Sequence, residues 1–438
     1  MNVMRDPIPS DSAARAPLSV GVIVDLFQSP SAGGHVKCWE RIAEAARGSD
    51  VDLTVYFLGK EPAVISLAEN VRYVHVEPVL DTSSFRFLDG IPGHTDLAPI
   101  HLRVLNSLRR HHLLHSTDAF FSLARTAQVL SRWSRRGLVA SIHTDMPGYT
   151  RLYSKQILRR VFGDGFWGRT LRDRWRWHER LGASMQRRLD RYLHCCDWAM
   201  ASDSSQLGTV ERSVPKGRLS LLRRGIDRDA FHPRHRDRAR LESELGIPAN
   251  RVALLFVGRV DAGKDVLTLA RAARILRDRG LPVHMVFAGE GTQTREICEL
   301  LGDRVTLLGS VPQKELSWLY ASSDLFVFPS QIEIFPNVVL EAKASALPVL
   351  VSSAGGPAKL VRHPGPAQRE DGFVVASNDS YVWAEAIASL LHDPARRRAM
   401  GEEARRTIER TWPSWQQVLH EDLLPVWQFV ARQRGAWA

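Results

Sequence analysis

Strand and helix signals alternate along almost the whole of this chain, and that alternation constrains its fold more than any other feature. An unbroken apolar run at 20–24 is followed by a loop at 28–34 and a helix at 35–47. Further strands read at 51–58, 71–76, 118–123 and 138–142, with a helix at 124–136 between the last two. A second series begins near Arg251: strands at 252–257, 283–288, 305–308 and 325–328 alternate with helices at 265–279, 292–301 and 314–321. Continuous apolar strands joined by helices demand parallel sheets covered on both faces.

With 438 residues the chain exceeds what one core organises, so two domains of about 200 residues are expected. The turn-rich stretch 214–233 separates the two series and reads as a hinge. The boundaries that follow are a disordered tail at 1–17, a first domain at 18–222, a second at 223–411 and a closing amphipathic helix within 412–438. Apolar and charged contents of 44% and 24% are those of a soluble globular protein. The net charge of +11 suits nucleic acid, an anionic membrane or a phosphorylated substrate, and does not choose among them.

The four cysteines, Cys38, Cys195, Cys196 and Cys298, lack metal-ligand spacing and read as those of a large intracellular enzyme. No signal peptide is expected at the N-terminus, and no apolar run reaches the 18 or so residues that span a bilayer.

Chemistry concentrates at the ends of strands. Glu333 and Glu341 lie within a strand–turn–helix passage, one in the turn and one in the helix: strand to Pro329, polar turn at 331–337, helix at 338–345. In open α/β sheets, ligands sit at the carboxyl ends of strands, against helix N-termini. Both carboxylates are therefore expected to point into such a crevice. Gly33 and Gly34 lie between the first strand and its helix, where glycines admit an anion to the backbone or simply make a tight turn. Arg259 and Lys264 flank a glycine turn; two cations so spaced can reach one diphosphate, or can be solvated loop charges. The glycine turns at 286–291 and 305–312, and that at 353–357 with Gly355 and Gly356, follow other strands. His143 ends the last strand of the first half, inside Ala140-Ser-Ile-His-Thr-Asp-Met-Pro-Gly-Tyr149.

Residues 151–193 carry twelve Lys or Arg against four acidic residues, interleaved with Phe162, Phe166, Trp167, Trp175 and Trp177. Such a segment can lie in a membrane interface, stack on single-stranded nucleic acid, or be a solvated helical face.

Taken together, these strings resemble the retaining glycosyltransferases of family 4. Glu333 and Glu341 match its E-x(7)-E motif, and Arg259 with Lys264 its G-R-x(4)-K phosphate pattern. The H-T-D-x-P-x-Y string from His143 to Tyr149, with Arg224-Gly-Ile-Asp227, is similar to a subset of lipid-modifying mannosyl-, glucuronosyl- and sulfoquinovosyl-transferases. The resemblance is strongest from Val214 to Val375. It implies an α/β protein of the GT-B fold, with two Rossmann-like domains facing an interdomain cleft.

It also implies a metal-independent, retaining hexosyltransferase without a cofactor. Its donor would be a nucleotide-diphospho-sugar, a UDP-sugar or GDP-mannose, and its acceptor a glycan or lipid-linked molecule. The site it implies has Glu333, His143, Arg259 and Lys264 as catalytic residues. The donor would be held by Gly33, Gly34, Gly258, Arg259, Lys264, Gly289, Val311, Glu333, Phe335, Asn337, Val338 and Glu341. Asp145, Tyr149, Arg159, Arg160 and Trp167 would face the acceptor or membrane. The expected setting is the cytoplasmic side of the cell membrane, peripherally bound. The alternatives are a single-stranded nucleic-acid binder acting through 151–193, which is less favoured, and a GT-B-like protein that binds nucleotide-sugars without turnover. Two positions depart from the family pattern: Pro336 and Ala346 stand where it has glycine, and Pro336 brings no N–H.

Overall fold

A computed structural model of the chain describes residues 16–29, 32–82, 95–143, 146–147, 150, 154, 177–202, 207–208, 210–331, 333, 335–361 and 369–437. The first strand shows why its sequence is apolar throughout. In Leu18–Phe27 (β1), Val20, Val22 and Val24 enter one core cluster while Ile23 enters another on the opposite face. A strand buried on both faces has no polar side to present, hence the missing alternation.

The sheet around β1 has eight strands. Val51–Leu58 (β2), Ala63–Ala68 (β3), Val71–Val76 (β4), Leu113–Ser116 (β5), Gly137–Ile142 (β6), Trp198–Ala201 (β7) and Leu219–Leu221 (β8) assemble in the order β3-β4-β2-β1-β5-β6-β7-β8. Every pairing is parallel except β3 with β4. One face is covered by helix Gly34–Ala45 (α1), the other by Ser122–Arg132 (α2) and Trp177–His194 (α3).

The second sheet is parallel throughout. Val252–Val257 (β9), Val283–Ala288 (β10), Val305–Leu307 (β11), Leu325–Phe328 (β12), Val349–Ser352 (β13) and Phe373–Val375 (β14) run in the order β11-β10-β9-β12-β13-β14. Helices Val266–Asp278 (α4), Gln313–Ser322 (α5), Asn337–Ala344 (α6) and Ser380–Leu391 (α7) contribute to its single large core. In both sheets the order reverses beside the central strand, at β1/β5 and at β9/β12, which is where such folds open a crevice.

The chain closes by returning to the first sheet. Ser414 and Gln417 form a capping box, and the helix runs from Trp415 to Gln433 with a π turn at Val418–Leu423. The π turn precedes Pro425, which lacks the N–H an α-helix interior needs. Trp415, Val418, Leu419, Trp427 and Val430 enter the core that contains β1 and α1. A Cβ on Gly225 would come within 2.8 Å of the Trp415 backbone N, so only glycine lets the chain cross there.

The expected strand at 118–123 is not formed. Strand β5 ends at Ser116, and the Phe120-Phe121 run is drawn into a helix start instead. Asp118 Oδ1 accepts from the N–H groups of Phe120 and Phe121, and the Asp25 carboxylate accepts from those of Leu123 and Ala124. Most of the basic segment 151–193 and nearly all of the 1–17 tail lie outside the described residues. No helix among the described residues is long and apolar enough to cross a membrane.

Ala346 ends α6 in the left-handed region, at φ 55°, where a Cβ is strained. Replacing it with glycine should stabilise the protein by about 0.5–1 kcal/mol, seen as a raised melting temperature.

Candidate functional site

The carboxyl ends of the two sheets meet. A Cβ on Gly34, at the start of α1, would lie 3.7 Å from Asn337 Nδ2 at the start of α6. Arg224, on the segment linking the sheets, lies 5.8 Å from the centre of the Phe335 ring. These contacts place the loops of both switch points on one cleft.

On the second sheet the glycine turns interlock. Gly258 and Gly289 have φ of 146° and 151°, and a Cβ on Gly289 would collide with the Gly258 carbonyl. Gly258 N donates to Ala288 O at 3.0 Å, and Val260 N to Glu290 O at 2.8 Å. The turns thus hold the backbone from which Arg259 and Lys264 project. Arg259 Nε sits 3.4 Å from Asp261 Oδ2. The Lys264 ammonium contacts the Glu333 carboxylate and lies 5.9 Å from the Phe328 ring centre. Burial, aided by the Arg259 charge, pushes the Lys264 ammonium down to about 8; Asp261 opposes this. Glu333 is held by its backbone: Gly356 N donates to its carbonyl at 2.6 Å, and a Cβ on Gly355 would press on it at 3.0 Å.

Helix α6 begins with Pro336 in its N-cap position, and no side chain caps its first turn, whose Val339 N donates back to Pro336 O at 3.1 Å. Asn337 follows, its Oδ1 buried and without a hydrogen-bond partner among the described residues. Glu341, one turn on, does not join the Lys264–Glu333 cluster. The Tyr320 hydroxyl donates to its Oε2 at 3.0 Å and Gln313 Nε2 to its Oε1 at 3.5 Å. Burial pushes the Glu341 carboxyl up to about 7, against smaller lowering effects of Tyr320 and of Arg41 on α1.

On the first sheet, His143 ends a hydrogen-bond relay. Trp427 Nε1 donates to His115 Nδ1 at 2.9 Å, and His115 Nε2 lies 2.9 Å from Ser141 Oγ. Ser141 Oγ is in turn 2.8 Å from His143 Nε2, and Arg224 Nη2 is 2.9 Å from His143 Nδ1. An indole and a guanidinium can only donate. Each imidazole must therefore accept at Nδ1 and carry its proton on Nε2, and Ser141 Oγ accepts from both rings. A further proton on either ring would set two donors face to face. Burial agrees, holding His115 down to about 3 and His143 well below the ordinary range. Both nitrogens of His143 are thus occupied, and the ring holds Arg224 rather than standing ready to carry a proton.

The sequence-derived residues therefore fall into two groups. Arg259, Lys264, Glu333, Gly258 and Gly289 gather at the end of β9. Gly33, Gly34, Asn337, Phe335 and His143 approach from across the cleft or beside it, with Phe335 also edge-on to Trp412 at 5.5 Å. Val338 and Val311 are half-buried against the second core. Asp145, Tyr149, Arg159, Arg160 and Trp167 lie outside the described residues. Among the described residues no group of His, Cys, Asp or Glu is arranged to hold a metal ion. Sequence reasoning quoted Arg224 only as part of a string and missed its partnership with His143, 81 positions away. His35, stacked on His143 at 4.4 Å, carried no sequence signal.

Residues 237–407 match the model of a family described as "Glycosyl transferases group 1". The chain is 30% identical over 239 residues to the D-inositol 3-phosphate glycosyltransferase of Nocardia farcinica, covering 51% of each. It is 31% identical over 194 residues to a sulfoquinovosyl transferase of Arabidopsis thaliana, covering 44% of this chain and 37% of that protein. The chain thus spans about half the length of the curated relatives it matches, or less. Solved structures align over nearly the whole chain. Anabaena HepE in complex with UDP-glucose has a TM-score of 0.65 at 17% identity, covering 96% of this chain and 100% of that one. Sucrose-phosphate synthase from Thermosynechococcus elongatus has 0.63 at 19%, covering 95% and 97%. The chain has the GT-B fold, with two parallel-sheet α/β domains.

Two measurements probe the site's energetics. Trp427→Phe leaves His115 Nδ1 buried and unfilled, and should cost about 1–3 kcal/mol of stability. Glu341→Gln tests the raised carboxyl. Between about 4.5 and 7 the folded protein holds a proton there that the unfolded chain has lost, so this group's contribution is full at low pH and disappears as pH rises through 7. The variant's melting temperature relative to the wild type should therefore climb from pH 5 to pH 8, by the equivalent of about 2 kcal/mol. A difference that is flat with pH would place the carboxyl in an ordinary, solvated environment.

Proposed function

We propose that this protein is a glycosyltransferase that moves a sugar from a nucleotide-diphospho-sugar to a second molecule, with retention of anomeric configuration. The observation that carries this reading is the Lys264–Glu333 contact at the β9/β12 switch point, with Arg259 beside it and the glycine start of α1 opposite. Cation, carboxylate and a helix N-terminus without a side-chain cap converge where a charged phosphate and a hydroxylated ring could lie side by side.

In this reading the donor diphosphate displaces Glu333 from Lys264 and is held by Arg259, Lys264 and the α6 N-terminus. The two cations stabilise the charge that grows on the leaving nucleotide, which is a transition-state effect. They supply that charge stabilisation without calling on a metal ion. Released from Lys264, Glu333 accepts hydrogen bonds from the sugar hydroxyls, and Glu341 reaches the ribose. His143 acts as a positioning residue through Arg224. The acceptor enters from the first sheet's side, and a departing phosphate oxygen takes its proton on the face from which the nucleotide leaves. The basic, aromatic composition of 151–193 supports a lipid-linked acceptor at the anionic, cytoplasmic face of a membrane. The family match over 237–407 and the likeness to a nucleotide-sugar complex support the class of reaction.

A panel of UDP-sugars and GDP-mannose, assayed for nucleotide release with and without anionic liposomes, tests the reading. Glu333→Gln and Lys264→Met should each lower turnover about 10²–10³-fold while melting as cooperatively as the wild type. Undiminished turnover in both variants would exclude the assigned roles.

A further inference from the structure

Arg224 is 4% exposed, and its Nη2 donates to His143 Nδ1 at 2.9 Å. Its Nε and Nη1 are buried and have no hydrogen-bond partner among the described residues. What surrounds the guanidinium among the described residues is neutral: the His143 and His35 rings, the Cys38 thiol and, 5.8 Å away, the Phe335 ring. The preceding residue shows the contrast. Arg223 pairs with the Asp422 carboxylate at 2.7 Å and with Glu421 at 2.6 Å. The chain thus neutralises one arginine at this crossing and leaves its neighbour, the more deeply buried, with no acid among the described residues.

A second feature points to the same place. His35 Nε2 is also buried without a partner among the described residues, and its ring stacks on that of His143 at 4.4 Å with an interplanar angle of 13°. Burial and the Arg224 charge both hold His35 neutral, down to about 3. Two guanidinium nitrogens and one imidazole nitrogen thus lie without partners among the described residues at the entrance of α1. A buried cation without a counter-charge is costly, and it persists where an anion completes it. Arginine's planar fork suits a carboxylate, sulfonate or phosphate above all.

We infer that Arg224 and His35 form a receptor for an anionic group carried by a sugar substrate, separate from the donor diphosphate. This rests on the function proposed above, in which Arg259 and Lys264 already answer the diphosphate's charge from the second sheet. Arg224 lies 5.8 Å from the ring of Phe335, two residues beyond Glu333, to which that reading assigns the sugar hydroxyls. The anionic substrate is thus an acidic or phosphorylated sugar, either as the group transferred or as the acceptor.

Calorimetry on the full chain separates the two sources. The donor arm compares UDP-glucose with UDP-glucuronate, and GDP-mannose with GDP-mannuronate. The acceptor arm compares glucose with glucose 6-phosphate on the UDP-loaded or GDP-loaded protein. In one arm the anionic probe should bind at least tenfold more tightly than its neutral counterpart. Arg224→Gln, which keeps a donor for His143 but removes the charge, should abolish that preference. Its affinity for UDP or GDP alone should stay unchanged, and its melting temperature should fall no lower than the wild type's. Equal binding of anionic and neutral probes in both arms would overturn the inference. So would an Arg224→Gln variant that loses affinity for UDP or GDP alone, since Arg224 would then be reading the diphosphate. A lower melting temperature with the preference intact would mark Arg224 as a structural strut and refute the inference as well. Failure of both free nucleotides to bind the wild type would remove the parent reading, and this one with it.

Discussion

Directionality in one buried hydrogen-bond chain governs how the parts of this molecule fit together. Trp427 at one end and Arg224 at the other can only donate, so the two imidazoles between them are each locked in one tautomer, with Ser141 as the shared acceptor. The chain passes from the terminal helix through β5 and β6 to the segment that links the two sheets. It thereby joins four elements that are not adjacent in sequence. A polar network of this kind tolerates no half-measures: each member is either satisfied or left at a cost comparable to several hydrogen bonds. The terminal helix is therefore more than a cover for apolar surface, because its indole sets the proton positions that reach the cleft.

The same crossing explains two glycines. Gly225, next to Arg224, admits the backbone of Trp415, and a Cβ on Gly137 would collide with Val430. The helix that delivers Trp427 can approach β6 only because these positions have no side chain. Packing and hydrogen bonding here depend on one another. Loosening the helix would free the indole, and losing the indole would leave an unfilled imidazole nitrogen under the helix.

How far the fold was legible depended on whether its signals were local. The strands of the second sheet were plain because each is buried on both faces and bounded by glycine or proline turns, as in β9, β10 and β12. The stretch 118–123 was misleading because what makes it a helix start is Asp25, almost a hundred residues earlier, accepting from Leu123 and Ala124. Strands of three or four residues such as β7, β8 and β14 are too short to show a period. At the site, strand-end position singled out Lys264 and Glu333, but no local pattern tells that their side chains touch. Nor does one tell that His143 meets Arg224, or that Glu341 turns to Tyr320 and Gln313. Those are products of packing between elements.

Charge is handled in two different ways within the one cleft, and the difference has a physical consequence. On the second sheet, Lys264 rests on Glu333 and Arg259 near Asp261, so the cations have partners before any ligand arrives. A ligand there must exchange one ion pair for another, and the net gain is modest. On the linking segment, Arg224 has no acid to give up among the described residues, and its desolvation cost is already met by the fold. An anion reaching it gains attraction in a low-dielectric setting without first breaking a pair. A site built on both plans separates its tasks. The exchangeable pair suits a group that must come and go with each turnover, and the standing charge suits recognition.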